Sequence, residues 1–399
     1  MSSEWTVSIP VSWYVPVTNT TSLNLFRKEI VSWCTRTGIA GRSVAEKAVS
    51  RLNPAHYMMT LFPKVDPLQP TLSKLYEMNA AIIVGGYIMD DVLETYTLEA
   101  LVELDAFFRS TEAWLSQLQP SEYPKIEEIV EQLQEITVPF SRAVVCMFTD
   151  YFNQCCLALS KIDEISPSNV RHYRKRLSAS VTAYLEMAME KRQDTAVKLD
   201  EKEFLWQRSA DNLGFPVLMF IEVFSNLLQE AELAKIPTTI FHYFHMYSNL
   251  FAHVLNDLNS FHRDIDTDHN NLIKLWIQNG LASDFEDAAK KVVQFLSSAI
   301  IRMYKAFAEC SKQFPNSPAL ERFLESIGYS FNGWIVVHTT TVERYRLSPY
   351  QISLTIVQQD KQDEWLKNES NFGKRCVQLF EELMKEREEK MIEIYGLSN

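Results

Sequence analysis

Long stretches of helical periodicity, separated by prolines, most constrain how this 399-residue chain can fold. Apolar residues recur every three or four positions through most of the sequence, which predicts amphipathic helices. Prolines such as Pro120, Pro237 and Pro318 fall between these segments, where helices are expected to stop or turn. Only 10 residues are glycine, which argues against turn-rich β architectures and glycine-rich nucleotide loops. The pattern predicts an all-α protein.

The helices are expected to form one domain that spans residues 1–399, because no repeat or interdomain linker interrupts them. Many are apolar on more than one face, as expected around a central apolar cavity. Strand-like alternation occurs only over residues 5–13, and the polar segment 264–271 is predicted to form a lid. The predicted helices cover residues 23–37, 43–53, 72–95, 98–118, 126–135, 140–161, 169–198, 201–212, 215–234, 238–264, 284–314, 319–346 and 362–395.

The charge and cysteine patterns narrow the classes of partner. A net charge of -12 disfavours a nucleic-acid partner, whereas a phosphorylated substrate is compatible with it if metal ions supply positive charge. The six cysteines show no zinc or redox spacing, which favours reduced thiols. The start of the chain lacks a signal-peptide pattern, and the most apolar stretch, residues 136–160, contains charged residues. We therefore expect a cytoplasmic protein without a membrane span.

One apolar predicted helix ends in three carboxylates, Asp90, Asp91 and Glu94. Asp90 and Glu94 are four residues apart and share a helix face, while Asp91 lies about 100° further round. Carboxylates this close repel one another unless a cation lies between them, and Mg²⁺ combines one or two carboxylates with water and phosphate oxygens. We predict that Asp90 and Glu94 bind metal and that Asp91 orients a neighbouring group. A solvated acidic helix end is the alternative interpretation.

A second polar patch consists of Asn256, Ser260 and Asp264 within an apolar predicted helix. Each step of four residues drifts by only about 40°, so the three oxygens lie on one stripe. An amide, a hydroxyl and a carboxylate form a weakly charged set of hard ligands that suits Mg²⁺. All three residues are poor helix-interior residues, so their presence requires a reason. We predict a second set of metal ligands, with a polar interhelix network as the alternative.

Together the two patches resemble class I terpene synthases, and the resemblance covers most of the chain. In that family a D-D-x-x-D/E motif faces an N-D-x-x-S-x-x-x-E motif across the mouth of an α-helical barrel. Asp90 matches the first aspartate, and Asn256, Ser260 and Asp264 match the three ligands of the second motif. The last ligand is usually Glu in the family, and the shorter Asp would shift or weaken that metal. The resemblance implies a single-domain barrel around a central cavity, with residues 1–20 capping the active site, and it allows a homodimer.

Other functional positions of the family also find matches in this sequence. A single arginine is usually a surface or salt-bridge residue, so the assignment depends on the order and spacing of these residues around the two patches. The matching residues are Arg208 for the diphosphate sensor, Asp211 and Asn212 for the linker and effector, Arg263 before the last metal ligand, and the pair Arg344-Tyr345 near the end of the barrel.

The resemblance implies Mg²⁺-dependent ionisation of a linear isoprenyl diphosphate, with three metal ions carried in with the substrate. The arginines and the Tyr345 hydroxyl would bind the diphosphate through charge-assisted hydrogen bonds. The resulting carbocation needs a closed apolar pocket with aromatic faces, for which Tyr87 is the favoured lining residue. The D-D-x-x-E motif in a chain of this length resembles microbial and coral enzymes, which favours geranylgeranyl diphosphate over farnesyl diphosphate.

Two rival functions remain open. A chain-elongating prenyl diphosphate synthase is also an all-α metal enzyme, but it would need a second D-D-x-x-D in place of the Asn/Ser/Asp patch. A catalytically inactive helical binding protein is the other alternative, and Asp264 is the sequence feature that hints at it.

Overall fold

The computed structural model describes residues 5–16, 25–193, 200–210, 214–264, 271–341 and 352–395. Helices dominate this part of the chain, and the predicted all-α class is confirmed. The helices are α1 (Arg27–Thr37), α2 (Arg42–Leu52), α3 (Pro54–Leu61), α4 (Ser73–Leu93), α5 (Leu98–Leu115), α6 (Ile126–Gln132), α7 (Pro139–Leu159), α8 (Pro167–Gln193), α9 (Glu201–Ala210), α10 (Gly214–Phe224), α11 (Glu230–Leu233), α12 (Thr238–Asp264), α13 (Leu272–Gln278), α14 (Phe285–Gln313), α15 (Pro318–Val336), α16 (Gln362–Trp365), α17 (Asn371–Glu386) and α18 (Glu388–Tyr395).

Several predicted helices are divided by local backbone signals. The predicted helix 215–234 is two helices, α10 and α11, and between them Asn226 has a φ of 66°. That left-handed conformation cannot continue a right-handed helix. Asn53, with a φ of 47°, likewise ends α2 before α3, a helix that the periodicity did not predict. The prediction of one helix over 362–395 was wrong, because this segment contains three helices, α16, α17 and α18, and Ser370 caps the second of them.

A short parallel sheet joins the two ends of the chain. Strand β1 (Trp5–Pro10) pairs with β2 (Ile352–Val357), with Trp5 opposite Ile352 and Pro10 opposite Val357. The alternation over residues 5–13 predicted the first strand, and nothing in the sequence predicted the second. After β1 the Trp13 ring stacks on Phe331 of α15 at 5.6 Å between centroids. The segment is therefore anchored on the helical core, and its role as a cap stays a prediction.

One helix, α10, links the two helices that carry the polar patches. Helix α10 packs against both α4 and α12, and α9 packs against α12 and α8. Almost every residue of α10 is buried, so this helix is part of the core between α4 and α12. Among the described residues, no helix is long and apolar enough to cross a membrane.

A buried ion cluster ties α8, α10 and α12 together. Arg176 of α8 donates two hydrogen bonds to Glu222 of α10, at 2.6 and 2.8 Å. The Nε2 atom of His245 on α12 lies 2.8 Å from the same carboxylate. Burial lowers the pKa of His245, so the ring is neutral and donates its Nε2–H. All three side chains are 0% exposed, and the cluster fixes the relative positions of these three helices.

Candidate active site

The first acidic patch lies in the last turn of α4 and just beyond it. The apolar residues before it, 80–84, are buried against neighbouring helices. Asp90 is half-buried, whereas Asp91 and Glu94 are exposed. The Tyr184 hydroxyl on α8 donates a hydrogen bond of 2.8 Å to Asp90 Oδ1. The structure therefore orients Asp90, the residue that the sequence favours as a metal ligand.

Arg192 of α8 holds the carboxyl end of α4 in place. Its guanidinium donates to the backbone carbonyls of Leu93 at 3.3 Å, Glu94 at 2.6 Å and Tyr96 at 3.1 Å. The last carbonyls of a helix lack partners within the helix, and a cation there offsets the negative end of the helix dipole. Arg192 thus fixes the backbone around the first patch. Sequence reasoning missed this residue, because nothing local marks an arginine 98 positions from its carbonyl partner.

The second patch lies on one face of the last two turns of α12, as predicted. Ser260 is 4% exposed, while Asn256 and Asp264 are half-buried. The Ser260 hydroxyl donates a hydrogen bond to Asp264 Oδ2. Asn271, the last residue of the predicted lid, donates from Nδ2 to the same oxygen at 3.2 Å. Two of the three predicted ligand side chains are therefore in direct contact.

Arg208, at the end of α9, reaches the second patch through Asp257. Its Nη2 donates to Asp257 Oδ1 at 2.7 Å, and its guanidinium lies 5.2 Å from the centroid of the Phe204 ring. The other oxygen of Asp257 accepts from the backbone N–H of Leu272 at 3.0 Å. The predicted diphosphate-binding arginine is therefore held one residue along the helix from the predicted ligand Asn256.

Several predicted site residues lie outside the described part of the chain. Residues 265–270 of the predicted lid also lie outside the described part of the chain. Arg263 lies on α12 immediately before Asp264. Within the described ranges, no group of three His, Cys, Asp or Glu side chains is placed to hold a metal. The second patch has only one such side chain, since an amide and a hydroxyl supply its other oxygens. The predicted residues outside the described ranges are Asp211, Asn212, Arg344 and Tyr345.

A cleft between α5 and α8 has a volume of about 780 Å³. Charged side chains line it, among them Arg109, Arg171, Lys175 and Glu186. A hydrocarbon chain binds in apolar surroundings, so this cleft does not suit an isoprenyl group.

Comparison with protein families places the central part of the chain in one family. Residues 82–302, more than half of the chain, match the sequence model of terpene synthase family 2, C-terminal metal binding. The match begins shortly before the first patch and extends beyond the second. No curated protein is significantly similar to the chain in sequence.

Solved structures with the same fold include two that are distant in sequence. The 2-methylisoborneol synthase of Streptomyces coelicolor, in complex with Mg²⁺ and 2-fluoroneryl diphosphate, has a TM-score of 0.59 at 17% identity, covering 84% of this chain and 98% of its own. A cucumene synthase variant has a TM-score of 0.57 at 15% identity over 82% and 98%. Such identities establish the fold alone. With the family match, they show that the chain belongs to terpene synthase family 2 and is a terpene synthase, a lyase with the all-α class I fold.

Proposed function

We propose that this terpene synthase ionises a linear isoprenyl diphosphate with the help of Mg²⁺ and cyclises the resulting carbocation, releasing diphosphate. The observation that carries the proposal is the ion pair of Arg208 with Asp257, the residue next to the predicted ligand Asn256. An arginine held this close in the chain to a predicted metal ligand is suited to bind the phosphate oxygens of a metal diphosphate. Geranylgeranyl diphosphate is the favoured substrate over farnesyl diphosphate, on the resemblance of the sequence to coral enzymes.

The donor atoms of the two patches fit Mg²⁺. They are carboxylate, amide and hydroxyl oxygens, which are hard ligands. Ser260 and Asp264 already contact each other, so little side-chain movement is needed to bring both to one ion. Tyr184 holds Asp90 in one orientation, which lowers the entropy cost of binding. When bound, Mg²⁺ supplies positive charge that stabilises the departing diphosphate.

A structurally similar enzyme that was solved with Mg²⁺ supports the proposed ion and substrate class. The Streptomyces enzyme was solved with Mg²⁺ and an isoprenyl diphosphate analogue. By analogy we propose that three Mg²⁺ ions enter with the diphosphate, bound by Asp90 and Glu94 on one side and by Asn256, Ser260 and Asp264 on the other.

The basic residues would bind the leaving diphosphate rather than the hydrocarbon. A guanidinium forms two parallel hydrogen bonds to phosphate oxygens, and a group prearranged for the charge that develops lowers the barrier to ionisation. We assign this role to Arg208, with Asp211 and Asn212 as linker and effector positions. The further residues proposed to bind diphosphate are Arg263, Arg344 and Tyr345.

The carbocation must then be kept from water. This requires a closed pocket that excludes solvent. The departed diphosphate is itself a base that can accept the final proton, so the proposal requires no additional basic side chain.

The proposal is tested by incubating the purified full-length protein with Mg²⁺ and, separately, geranyl, farnesyl, geranylgeranyl and geranylfarnesyl diphosphates. Gas chromatography with mass spectrometry should detect a cyclic hydrocarbon or alcohol, with the highest turnover on geranylgeranyl diphosphate. A longer linear diphosphate as product would favour the rival elongase. Folded protein that turns over none of the four substrates would contradict both and favour a binding protein.

Two pairs of variants test the assigned ligands. Asp90→Ala should abolish turnover, whereas Asp91→Ala, the neighbouring acid on another side of the helix, should retain a measurable share. Asp264→Glu should keep substantial activity because it restores the ligand usual in the family, while Asp264→Ala should not. Equal activity within either pair would remove Asp90 or Asp264 from the proposed metal site.

A further inference from the structure

Asp257 is the buried acid of the second motif and is not one of the proposed metal ligands. It follows Asn256 directly, so its side chain points about 100° away from the ligand stripe. Only 2% of the side chain is exposed. A buried carboxylate is costly unless charge and hydrogen bonds compensate it, and here both oxygens accept hydrogen bonds from outside α12.

The two donors come from two different helices. Oδ1 accepts from Arg208 at the end of α9, at 2.7 Å. Oδ2 accepts from the backbone N–H of Leu272 at the start of α13, at 3.0 Å. Asn271 adds a third bond, from Nδ2 to the Asp257 carbonyl at 2.7 Å. Asp257 therefore connects α9, α12 and α13 at one point.

The ion pair restricts the Arg208 guanidinium. The Arg208 side chain is 14% exposed, stacks near the Phe204 ring and is joined to Asp257 through Nη2. A guanidinium has five N–H donors in a planar fork, so the bond to Asp257 fixes the direction in which this fork faces. An arginine held in this way loses less side-chain entropy when an anion binds.

We propose that Asp257 is a positioning residue that sets the affinity of the enzyme for diphosphate by holding the Arg208 guanidinium in its binding orientation. The inference rests on the proposed function, because it takes Arg208 as a diphosphate-binding residue. Asp257 itself touches neither metal nor substrate in this scheme. Its effect is transmitted through Arg208 and disappears when Arg208 is absent.

A purely structural role is the competing explanation. Through Leu272 and Asn271 the same carboxylate helps to fix the start of α13, so its loss could disturb the fold around the second patch. A double-mutant cycle separates the two roles, since an effect that passes through Arg208 requires Arg208, and an effect that passes through α13 does not.

The experiment measures binding of inorganic pyrophosphate in saturating Mg²⁺ by isothermal titration calorimetry. The proteins are the full-length wild type, Asp257→Asn, Arg208→Gln and the double variant. We expect Asp257→Asn to weaken binding about tenfold in the wild-type background, and less than about threefold in the Arg208→Gln background, as for residues in direct contact. An equal loss in both backgrounds, or no loss in the wild-type background, would overturn the inference.

Glu112→Gln provides a matched control. Glu112 is also buried and paired with an arginine, Arg174 at 2.9 Å, with side chains 7% and 2% exposed. This variant should lower the thermal midpoint and leave pyrophosphate affinity within about twofold of the wild type. A loss as large as that of Asp257→Asn would show that any buried ion pair matters, and would overturn the inference. If Asp257→Asn does not fold, Asp257→Glu replaces it in the same cycle with the same criterion.

Turnover on the same preparations distinguishes this inference from the proposed function. Asp257→Asn should raise KM for the isoprenyl diphosphate more than it lowers kcat, because positioning of Arg208 acts on binding. A wild type that turns substrate over while Asp257→Asn binds pyrophosphate normally would refute the positioning role alone. A wild type that binds pyrophosphate and yields no product would refute the proposed function alone.

Discussion

Replacing Arg176 with methionine should destabilise the protein strongly, because it leaves the buried Glu222 carboxylate without its arginine partner. Glu222 is 0% exposed, and its partners are Arg176 and His245. Burial on its own would raise the pKa of Glu222, but the Arg176 charge and the hydrogen bonds from His245 and Arg176 outweigh burial and lower it to about 2. Arg176→Met removes the largest of these compensating interactions.

The size of the effect follows from that pKa. The ordinary value is 4.5, and one pKa unit corresponds to about 1.4 kcal/mol, so burial and partners together favour the charged form by about 3 kcal/mol net. Removing one partner of a buried ion pair typically costs about 3–5 kcal/mol. We therefore expect Arg176→Met to lower the free energy of unfolding by about 3 kcal/mol or more at neutral pH.

The loss should depend on pH in a defined direction. In the wild type the folded pKa of Glu222 lies below its unfolded value, so its contribution is complete above pH 4.5 and is lost as pH falls towards 2. In Arg176→Met burial dominates and raises the folded pKa. That variant takes up a proton on folding, so its stability deficit relative to the wild type should shrink as the pH is lowered towards 5.

Urea unfolding followed by far-ultraviolet circular dichroism at pH 7.5 and pH 5.5 measures both effects. Adding Glu222→Gln to Arg176→Met should recover part of the loss, because no charge is then left buried. Arg109→Met is the control: Arg109 pairs with Asp105 and Glu186 but is 46% exposed, so its loss should stay within about 1 kcal/mol. Wild-type stability in Arg176→Met, or a deficit that is the same at both pH values, would refute the reasoning.

Three further predictions concern the N-terminal anchor, a buried histidine and the metal. Gly328→Ala should lower the free energy of unfolding by about 1–3 kcal/mol, because the added Cβ would lie 2.5 Å from the Trp13 ring. Gly41→Ala is the control, since no atom lies within 4 Å of its added Cβ, and thermal unfolding should show little change. Burial lowers the pKa of His338 from 6.5 to about 4, so stability should fall as pH drops from 6.5 towards 4, and His338→Gln should flatten that slope in urea titrations. Chelation should abolish turnover and Mg²⁺ should restore it, while unchanged product formation in excess chelator would exclude a metal mechanism.

The parts of the fold that the sequence predicted well are those with strong local signals. The bounds of α12 agree with the predicted helix 238–264, because an apolar pattern starts after Pro237 and runs without a break to the second patch. Strand β2 was missed since its six residues pair with β1, 347 positions away between Thr6 and Ser353. A pairing that distant leaves no periodic trace in either segment.

The same distinction applies to the site. Helical spacing alone placed Asn256, Ser260 and Asp264 on one stripe, and the structure adds the Ser260–Asp264 contact. The bonds from Tyr184 to Asp90 and from Arg208 to Asp257 join residues 94 and 49 positions apart. Their existence depends on which helices are neighbours, so neither composition nor spacing could have predicted them.

The balance of forces in α4 explains how a chain can keep so many acids together. Like charges at a spacing of four on a helix, as for Asp90 and Glu94, cost about 0.2–0.5 kcal/mol, and carboxylates at the negative end of the helix dipole cost a similar amount. Burial of a single leucine or isoleucine contributes about 1.5–3 kcal/mol, and α4 buries Leu75, Ile82, Ile83 and many others. The apolar part of the helix therefore outweighs its acidic end several-fold. On these magnitudes folding does not need a cation at the patch, and a Mg²⁺ ion bound there, as proposed, would relieve the repulsion that remains.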